Sequence, residues 1–547
     1  MQEPNLTRRG WLTSCASGTA AAASVLLPRG AHSADGAELL DDPRSTSPEV
    51  TLFSFDNVSI PFSHNLRLSM WPPEKHAANP VVRRGGPGTP DEMGVQFYGS
   101  VVRVDGRFRM WYVAVDRELE RDGGCVRCWR PAYAESEDGV HWIKPELGLV
   151  EYHGSRHNNL VLMDPAPLGV VCLKVLVEPD DPDPARRHKM SAHTWWTDGK
   201  ARGRATLAPL FSPDGLRWRL AISGKPVKGM LPVEDIVLPR HHFEAAGGLH
   251  KWNGMYYASG QGGPEVRNGV VTFSRGDGHG VVDCSGRELL MHRSPDFIHW
   301  SRTAHVGFLR EGQHRSFPRG QGEEAHEGVS VWNRGNVLLG LYGLWHGARQ
   351  DKDVSLDLGF LVSNDGAHFR EPIPEWTFLR RGEDGAWDQG GLLQGQGFEN
   401  VGEQTLIWYG AWDPRESSTA YQPRGGVGLA TLPRDRFGSL SPRYSEREAE
   451  LITAPVQLTD TATILANVAG LGTHATLRVE LLDQREQPLP RYAGDNAAVV
   501  RESGFACPVL WKGGGHFAEL REPVRMRVIF DGQHRQQIAL YALYVHR

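Results

Sequence analysis

Glutamate and histidine occur side by side at two places in the sequence. The segment HHFE ends in Glu244, and the segment EEAHE ends in Glu327, directly after His326. Each glutamate precedes a run containing glycine and apolar residues, which is typical of a β-strand. Two carboxyl groups that converge can act as a general acid and as a base or nucleophile. Glu244 and Glu327 are therefore our candidates for a catalytic pair.

Further residues are candidates to assist this pair. Asp91 and Glu92 precede the strand-like run GVQFYGS, and one or the other would supply a third carboxylate. The nearby histidines would orient the carboxylates, bind substrate hydroxyl groups or hold a metal ion. Because no spacing requires a metal, we predict neither a metal nor another cofactor. The predicted substrate-binding residues, which would otherwise be core or solvated side chains, are His241, His242, His326, Asp388, Gln389, Trp345 and Trp387.

A seven-residue phrase occurs four times and indicates how these residues are positioned. It appears as SEDGVHW, SPDGLRW, SPDFIHW and SNDGAHF, roughly 70 to 80 residues apart, which is typical of repeated supersecondary units. Strand-like runs joined by Asp-Gly or Asn-Gly turns precede each phrase. A fifth unit starts near Phe398. Four short strands per unit predict an all-β, five-bladed β-propeller, in which the phrase is structural and the carboxylates converge on the axis.

The pattern changes after Leu440. Runs such as PVRMRVIF alternate apolar and polar residues, which indicates strands with one buried face. We therefore predict a propeller over residues 35–440 and a small C-terminal β-sandwich over residues 441–547.

The N-terminus is typical of an export signal. TRRGWL pairs Arg8 and Arg9 ahead of a short, alanine-rich apolar run, so we predict a twin-arginine signal over residues 1–34 and an exported protein, periplasmic or extracellular. Attachment of a lipid anchor at Cys15 is an alternative, although Cys15 precedes the apolar run instead of ending it. The sequence contains no apolar run of about 18 residues, so no membrane span is predicted. A net charge of −5 gives no support for a nucleic-acid partner.

The sequence resembles the invertase, levansucrase and arabinanase superfamily of five-bladed β-propeller glycoside hydrolases, and within it exported bacterial relatives of the invertase family. The segments that carry the resemblance are EKHAANPV, FRMWYVA, AYAESEDGVHWIKPELGLVEYHGSRHNNLVL, DPDPARRHKM and GVGLATLPRDRFGSL. The NDPNG, RDP and EC segments of invertases are absent. The resemblance therefore implies the fold directly and the chemistry only as an expectation.

The resemblance leads us to expect a secreted glycoside hydrolase that acts on a poly- or oligosaccharide. Because two carboxylates in a water-poor cavity do not both ionise easily, one is expected to keep its proton and serve as the acid. We assign that role to Glu327, which adjoins an apolar strand, and the role of base or nucleophile to Glu244 or Asp91. The alternatives are a non-catalytic carbohydrate-binding propeller and a metal-dependent enzyme that uses axial histidines.

Overall fold

The computed structural model describes residues 47–115, 129–165, 168–199, 202–239, 243–262, 264–267, 270–274, 280–281, 288–310, 324–346, 355–413, 425–514 and 516–547. The predicted export signal, with Arg8, Arg9 and Cys15, lies outside these residues. No helix among them is long and apolar enough to cross a membrane.

The first strands of the described chain each pair with a strand far along the sequence. β1, β2 and β3 pair with C-terminal strands, and β4 and β5 pair with the last strand of the propeller. They are β1 (Glu49–Phe53), β2 (Phe62–His64), β3 (Leu66–Met70), β4 (Glu74–Lys75) and β5 (Val82–Arg83).

The next two units are antiparallel sheets built on hairpins. The first contains β6 (Gly94–Val104), β7 (Arg107–Val115) and β8 (Trp129–Ser136), and β6 turns into β7 at Asp105-Gly106. The second has the order β10-β11-β12-β13-β9, with β14 on β11. Its strands are β9 (Leu162–Asp164), β10 (Cys172–Val177), β11 (His188–Thr197), β12 (Arg202–Ser212), β13 (Arg217–Leu220) and β14 (Leu231–Pro232), with 3-10 turns at Pro184–Arg186 and Val233–Asp235.

The third unit is the four-stranded sheet β15-β16-β20-β21, and β17, β18 and β19 form a separate small sheet. The fourth is the sheet β22-β23-β24-β25. The bounds are β15 (Glu244–Trp252), β16 (Met255–Gly262), β17 (Pro264–Arg267), β18 (Val270–Ser274), β19 (Gly280–Val281), β20 (Glu288–Ser294), β21 (His305–Phe308), β22 (Glu324–Asn333), β23 (Leu338–His346), β24 (Ser355–Ser363) and β25 (Thr377–Leu379).

The fifth unit closes the ring. It consists of β26 (Leu392–Leu393), β27 (Gln396–Val401), β28 (Gln404–Ala411) and β29 (Gly426–Pro433), and the N-terminal β4 and β5 pair with β29. The first strands β6, β10, β15, β22 and β27 each contact their two neighbours around the axis, and β27 pairs with β6 through Gln396 and Ser100. The predicted all-β propeller is thus confirmed. The number of blades stays a prediction, because β17–β19 form a sheet outside the ring of first strands.

The repeated phrase forms the same turn in all four units. Its aspartate accepts backbone hydrogen bonds of 2.8 to 2.9 Å from the residues two and three positions later. A side chain of the preceding unit then donates to a backbone carbonyl of the turn: Trp408 to Gly139, Trp111 to Gly215, Arg186 to Asp296 and His250 to Gly366. Of the aromatic residues that end the four phrases, Trp218, Trp300 and Phe369 are buried, whereas Trp142 is half-buried against Trp408. The phrase joins neighbouring units.

Two facing sheets form the sandwich. One has the order β3-β30-β37-β32-β35 with β1 on β37, and the other has the order β2-β31-β36-β33-β34. Met526, Val528 and Phe530 are buried between the sheets, as the alternating pattern predicts. The strands are β30 (Gly438–Pro442), β31 (Glu450–Ile452), β32 (Thr463–Ala469), β33 (Thr476–Leu482), β34 (Ala498–Val500), β35 (Gly504–Pro508), β36 (Arg525–Asp531) and β37 (Ala539–His546), with 3-10 turns at Pro490–Tyr492, Gly494–Asn496 and Arg535–Gln537.

The sandwich differs from the predicted division at residue 440. Strands β1, β2 and β3 precede the propeller in the sequence but belong to the two sandwich sheets. Glu49 to Phe53 pair with His546 to Ala542, so the two ends of the described chain lie side by side. The sequence pattern of these short strands carries no sign of their distant partners.

Candidate active site

Glu327 lies in a β-bulge that takes it out of the regular ladder of its strand. The pairing between β22 and β23 shifts between His326 and Val329. At this shift Glu327 has a φ of 59° and Gly328 a φ of 78°. A left-handed backbone is costly for a residue with a side chain, by roughly 1 to 2 kcal/mol, and such residues cluster at functional sites. The bulge places the Glu327 side chain at the wall of the axial cavity.

Glu244 lies at a matching irregularity in the neighbouring unit. The register of β15 against β16 shifts between Glu244 and Gly248. A Cβ atom added to Gly247 would lie 2.5 Å from the carbonyl oxygen of Glu327, and one added to Gly248 would lie 2.2 Å from that of Val329. The two glycines therefore let β15 and β22 approach each other closely, which brings the two glutamates together.

Gln261 on β16 connects the two carboxylates. Its side-chain nitrogen donates to Oε2 of Glu244 and, over 3.2 Å, to Oε1 of Glu327. Its side-chain oxygen accepts the backbone N–H of Glu327 at 3.1 Å. Because both carboxylate oxygens bind one nitrogen, they are separated by at most about two hydrogen-bond lengths, roughly 6 Å. The structure therefore brings Glu244 and Glu327 together.

The carboxylates open into a cavity of about 230 Å³ on the propeller axis. Its walls come from strands of all five units and combine acids, aromatic rings and small residues. It is lined by Gly94, Val95, Gln96, Tyr98, Val115, Trp129, Val171, Cys172, His193, Glu244, His326, Glu327, Ala411 and Trp412. Mixed apolar and polar walls of this kind are typical of ligand sites.

His326 also reaches the cavity, as predicted. Its ring centroid lies 4.8 Å from that of Trp345 and 6.4 Å from that of Tyr98. Gln394 donates to the backbone carbonyl of His326 at 2.6 Å and so fixes this part of the bulge. Trp345 is buried and packs behind His326, so its role is to position the imidazole rather than to line the cavity.

The sequence did not indicate two polar residues of β10, of which one lines the cavity. Cys172 lies at the wall, and its Sγ is 3.7 Å from Nδ1 of His193. Burial raises the pKa of the Cys172 thiol well above its usual value. Lys174 is fully buried and donates to the carbonyls of Gly99 and Gln394, at 3.4 and 3.1 Å. Burial lowers its pKa to about 7.

The predicted third carboxylate lies elsewhere. Asp91 is buried, forms an ion pair with Lys144 and accepts a hydrogen bond of 3.0 Å from the Tyr112 hydroxyl. Glu92 accepts the backbone N–H of Gly88 at 2.9 Å. None of these partners lines the axial cavity. Asp91 therefore has a structural role, because Lys144 neutralises it at the edge of the first unit.

The fifth-unit candidates are likewise outside the cavity. Asp388 is buried and forms an ion pair of 2.6 Å with Lys75. Gln389 accepts the backbone N–H of Gly385 at 2.5 Å, and Trp387 packs near Tyr409 with ring centroids 5.8 Å apart. These contacts stabilise a loop of the fifth unit and correct the assignment of the three residues to substrate binding.

His241 and His242 lie outside the described residues. Within the described part of the chain, no group of three or more His, Cys, Asp and Glu side chains is arranged to hold a metal ion. The side chains that the structure brings together at the cavity are thus two glutamates connected by Gln261, two histidines and one cysteine. Such a set can transfer protons and stabilise a positive charge.

The sequence matches no family model and no curated protein. Similar solved structures include a member of the GH130 family of mannoside phosphorylases, a family that contains glycoside hydrolases targeting β-1,2-mannosidic linkages in Candida mannan. It is 14% identical, with 67% of this chain and 95% of its own covered and a TM-score of 0.42. A glycosyl hydrolase from Bacteroides ovatus is 16% identical, with 67% of this chain and 95% of its own covered and a TM-score of 0.39. For the catalytic domain of a Coprinopsis cinerea GH62 α-L-arabinofuranosidase they are 13%, 66%, 97% and 0.38.

Proposed function

We propose that this protein is an exported glycoside hydrolase that acts on a poly- or oligosaccharide in its axial cavity. The observation that supports this most directly is the pair Glu244 and Glu327, held by the single side chain of Gln261. Hydrolysis of a glycosidic bond requires two such carboxyl groups, one on each side of the bond.

The roles of the two acids follow from their surroundings. Glu327 is buried, while Glu244 is half-buried. Because a second proton is hard to remove from two adjacent carboxylates, the more buried Glu327 holds the shared proton and is the general acid. Glu244 is then the nucleophile or base. Carboxyl groups of retaining enzymes are about 5 to 5.5 Å apart and those of inverting enzymes 6.5 Å or more, so the spacing set by Gln261 favours retention.

Aromatic side chains favour a sugar as the occupant. Tyr98, Trp129 and Trp412 line the same cavity as the acids. Flat aromatic faces bind the C–H faces of sugar rings, while the carboxylates and His326 bind hydroxyl groups. The lining thus supplies both kinds of contact that a pyranose or furanose ring needs.

A substitution of each acid tests the proposed chemistry. Wild-type protein should release reducing ends from one member of a panel of mannan, arabinan, fructan and xylan. Glu327→Gln and Glu244→Gln should lower kcat by at least about 1,000-fold, because the proton or the charge is lost while the shape is kept. Substrate affinity should stay within a few-fold of that of wild type. Glu151→Gln, at an exposed position, is the matched control with unchanged kcat.

The same experiment separates hydrolysis from binding alone. A wild-type protein that binds one of these polysaccharides without cleaving it would favour the non-catalytic reading. Full activity of Glu327→Gln would remove Glu327 from the mechanism. An activity that is lost with chelators and restored by a divalent cation would favour the metal-dependent reading.

Export by the twin-arginine route is part of the proposal. Arg8 and Arg9 precede a short apolar run that is typical of such signals. Replacing both arginines by lysine should retain the protein in the cytoplasm, as measured by cell fractionation. Equal export of the lysine variant would contradict this route.

A further inference from the structure

A second groove lies where the fifth propeller unit meets the sandwich. Its volume is about 530 Å³, and it does not share a residue with the axial cavity. One wall comes from β28, β29 and the segment that precedes β4, and the other from the sandwich. Its lining includes Trp71, Glu74, Glu403, Gln404, Arg436, Phe505 and Tyr541.

Trp71 presents an aromatic face to solvent in this groove. It is 47% exposed, an unusual exposure for the largest side chain. Its indole N–H donates to the Ser439 hydroxyl at 3.3 Å, and its backbone N–H donates to the Phe437 carbonyl at 2.8 Å. The ring is thus held at its edge while its face stays accessible.

The opposite wall is rigid. The Arg436 guanidinium lies 4.3 Å from the ring centroid of Phe505 and 4.6 Å from that of Tyr541. It also donates to the side chain of Asn467 at 3.0 Å, within the sandwich. Arg436 is therefore held between two aromatic rings, and these contacts order this wall of the groove.

The rim of the groove is polar. Glu74, Glu403 and Gln404 are exposed, and within the described residues no ion pair or hydrogen bond of their side chains is seen. Their oxygen and amide groups are therefore available to a ligand. Planar carboxylate and amide groups around an exposed aromatic face suit hydroxyl-rich ligands, because each group binds adjacent hydroxyls.

We propose that this groove is a carbohydrate-binding site, separate from the axial cavity, that holds a sugar chain against Trp71 through contacts with Glu74, Glu403 and Gln404. An apolar peptide segment is a poorer occupant, since it would leave these polar side chains without partners. The volume suits a few sugar rings rather than a folded protein. The inference shares its ligand class with the proposed function but none of its residues.

Affinity electrophoresis tests this site. Native gels would contain dissolved mannan, arabinan, fructan or xylan, one at a time. At least one polysaccharide should retard the wild-type protein. Trp71→Ala should weaken that retardation at least about 5-fold, and Trp71→Tyr, which keeps an aromatic face, should restore part of it. Phe62→Ala is the matched control, because Phe62 is also 47% exposed but lies outside the groove.

A second variant guards against misfolding. Gln404→Ala and Trp71→Ala should both keep the wild-type melting temperature while both weaken retardation. Equal retardation of wild type and Trp71→Ala, or no retardation by any of the four polysaccharides, would overturn the site. Cleavage without Trp71-dependent retardation removes only this inference, whereas Trp71-dependent retardation without cleavage removes only the proposed hydrolysis.

Discussion

Phe297 and Glu327 are both non-glycine residues with a left-handed backbone, and their surroundings differ. Phe297, with a φ of 72°, stands at the phrase position where the other three phrases have glycine. It is fully buried, and the rings of Phe211, Tyr256 and Trp300 lie 5.5 to 5.6 Å from its own. Packing explains the strained turn there. Glu327, with a φ of 59°, brings a carboxylate next to another carboxylate, which adds a second cost. Packing does not explain that arrangement, whereas the proposed hydrolysis requires it.

Removal of the Phe297 side chain should therefore lower the stability of the protein. Phe297→Gly relieves the backbone strain, roughly 1 to 2 kcal/mol, but removes a buried ring that is worth about 3 to 5 kcal/mol. The net loss should be about 3 kcal/mol in the free energy of unfolding, measured by denaturant titration. Activity per folded molecule should not change. A stabilised Phe297→Gly protein would show that packing does not explain this turn.

A change of Gln261, which connects the axial pair, should instead lower activity. Gln261→Met keeps the volume but removes the donor shared by the two glutamates. Their spacing is then no longer fixed, and kcat should fall about 100-fold, equivalent to about 2.7 kcal/mol in the activation free energy. Steady-state kinetics on the substrate found in the panel measures this. Gln533→Met, at an exposed glutamine outside both the cavity and the groove, should keep the wild-type kcat, and an unchanged kcat for both would remove Gln261 from the mechanism.

The two glutamates were predictable from the sequence, but the residue that connects them was not. Regular pairing outward from the Asn253-Gly254 turn would set Glu244 opposite Gly263. The bulge moves the partner to Gln261. A bulge is a tertiary feature of β15 packed on β22, so the local pattern does not contain it. Gly247 and Gly248 were a visible sign, because glycine within a strand often marks such a close approach.

Two other differences have the same origin. Asp91 has the spacing expected of an axial acid, but Lys144, distant in the sequence, neutralises it. Cys172 and Lys174 stand in the apolar run VVCLKVLV, where a lysine in a strand is normally assigned to a solvated face. The repeated phrase was predictable because its Asp-Gly turn is closed by local hydrogen bonds. Contacts between distant segments were not predictable.

The effect of burial on pKa also differs between the repeated turns and the propeller axis. In the repeated turn of the second unit, burial alone would raise the pKa of Asp214. Backbone hydrogen bonds from Arg217 and Leu216 outweigh burial, so the pKa of Asp214 is lowered. On the axis, burial prevails and lowers the pKa of Lys174 to about 7, from 10.5 in the unfolded chain. Between these two values the unfolded chain binds a proton that the folded protein does not. Stability therefore rises with pH across this window and falls towards pH 7.

Lys174→Met tests this pH dependence. The wild-type protein should gain on the order of 2 kcal/mol in the free energy of unfolding over about 1.5 pH units above neutrality, relative to the variant. Denaturant titrations at matched pH values measure the difference. Lys225→Met, at an exposed lysine, should keep the wild-type slope. Parallel curves for wild type and Lys174→Met would show that Lys174 stays charged in the folded protein.

The smallest expected effect has the opposite sign. Glu327→Gly removes a side chain from a left-handed position and one of two adjacent carboxylates. Because glycine adopts a φ of 59° without steric cost, the free energy of unfolding of the variant should be about 1 kcal/mol higher than that of wild type. The variant should lose all turnover. Thermal unfolding followed by circular dichroism measures the shift. Gly328, with a φ of 78°, offers the reverse control: a Cβ there would meet the backbone nitrogen of Gly260 at 2.7 Å, so Gly328→Ala should destabilise the protein. If Glu327→Gly instead lowered the melting temperature, the bulge would be held by the glutamate for folding, and the contrast with Phe297 would fail.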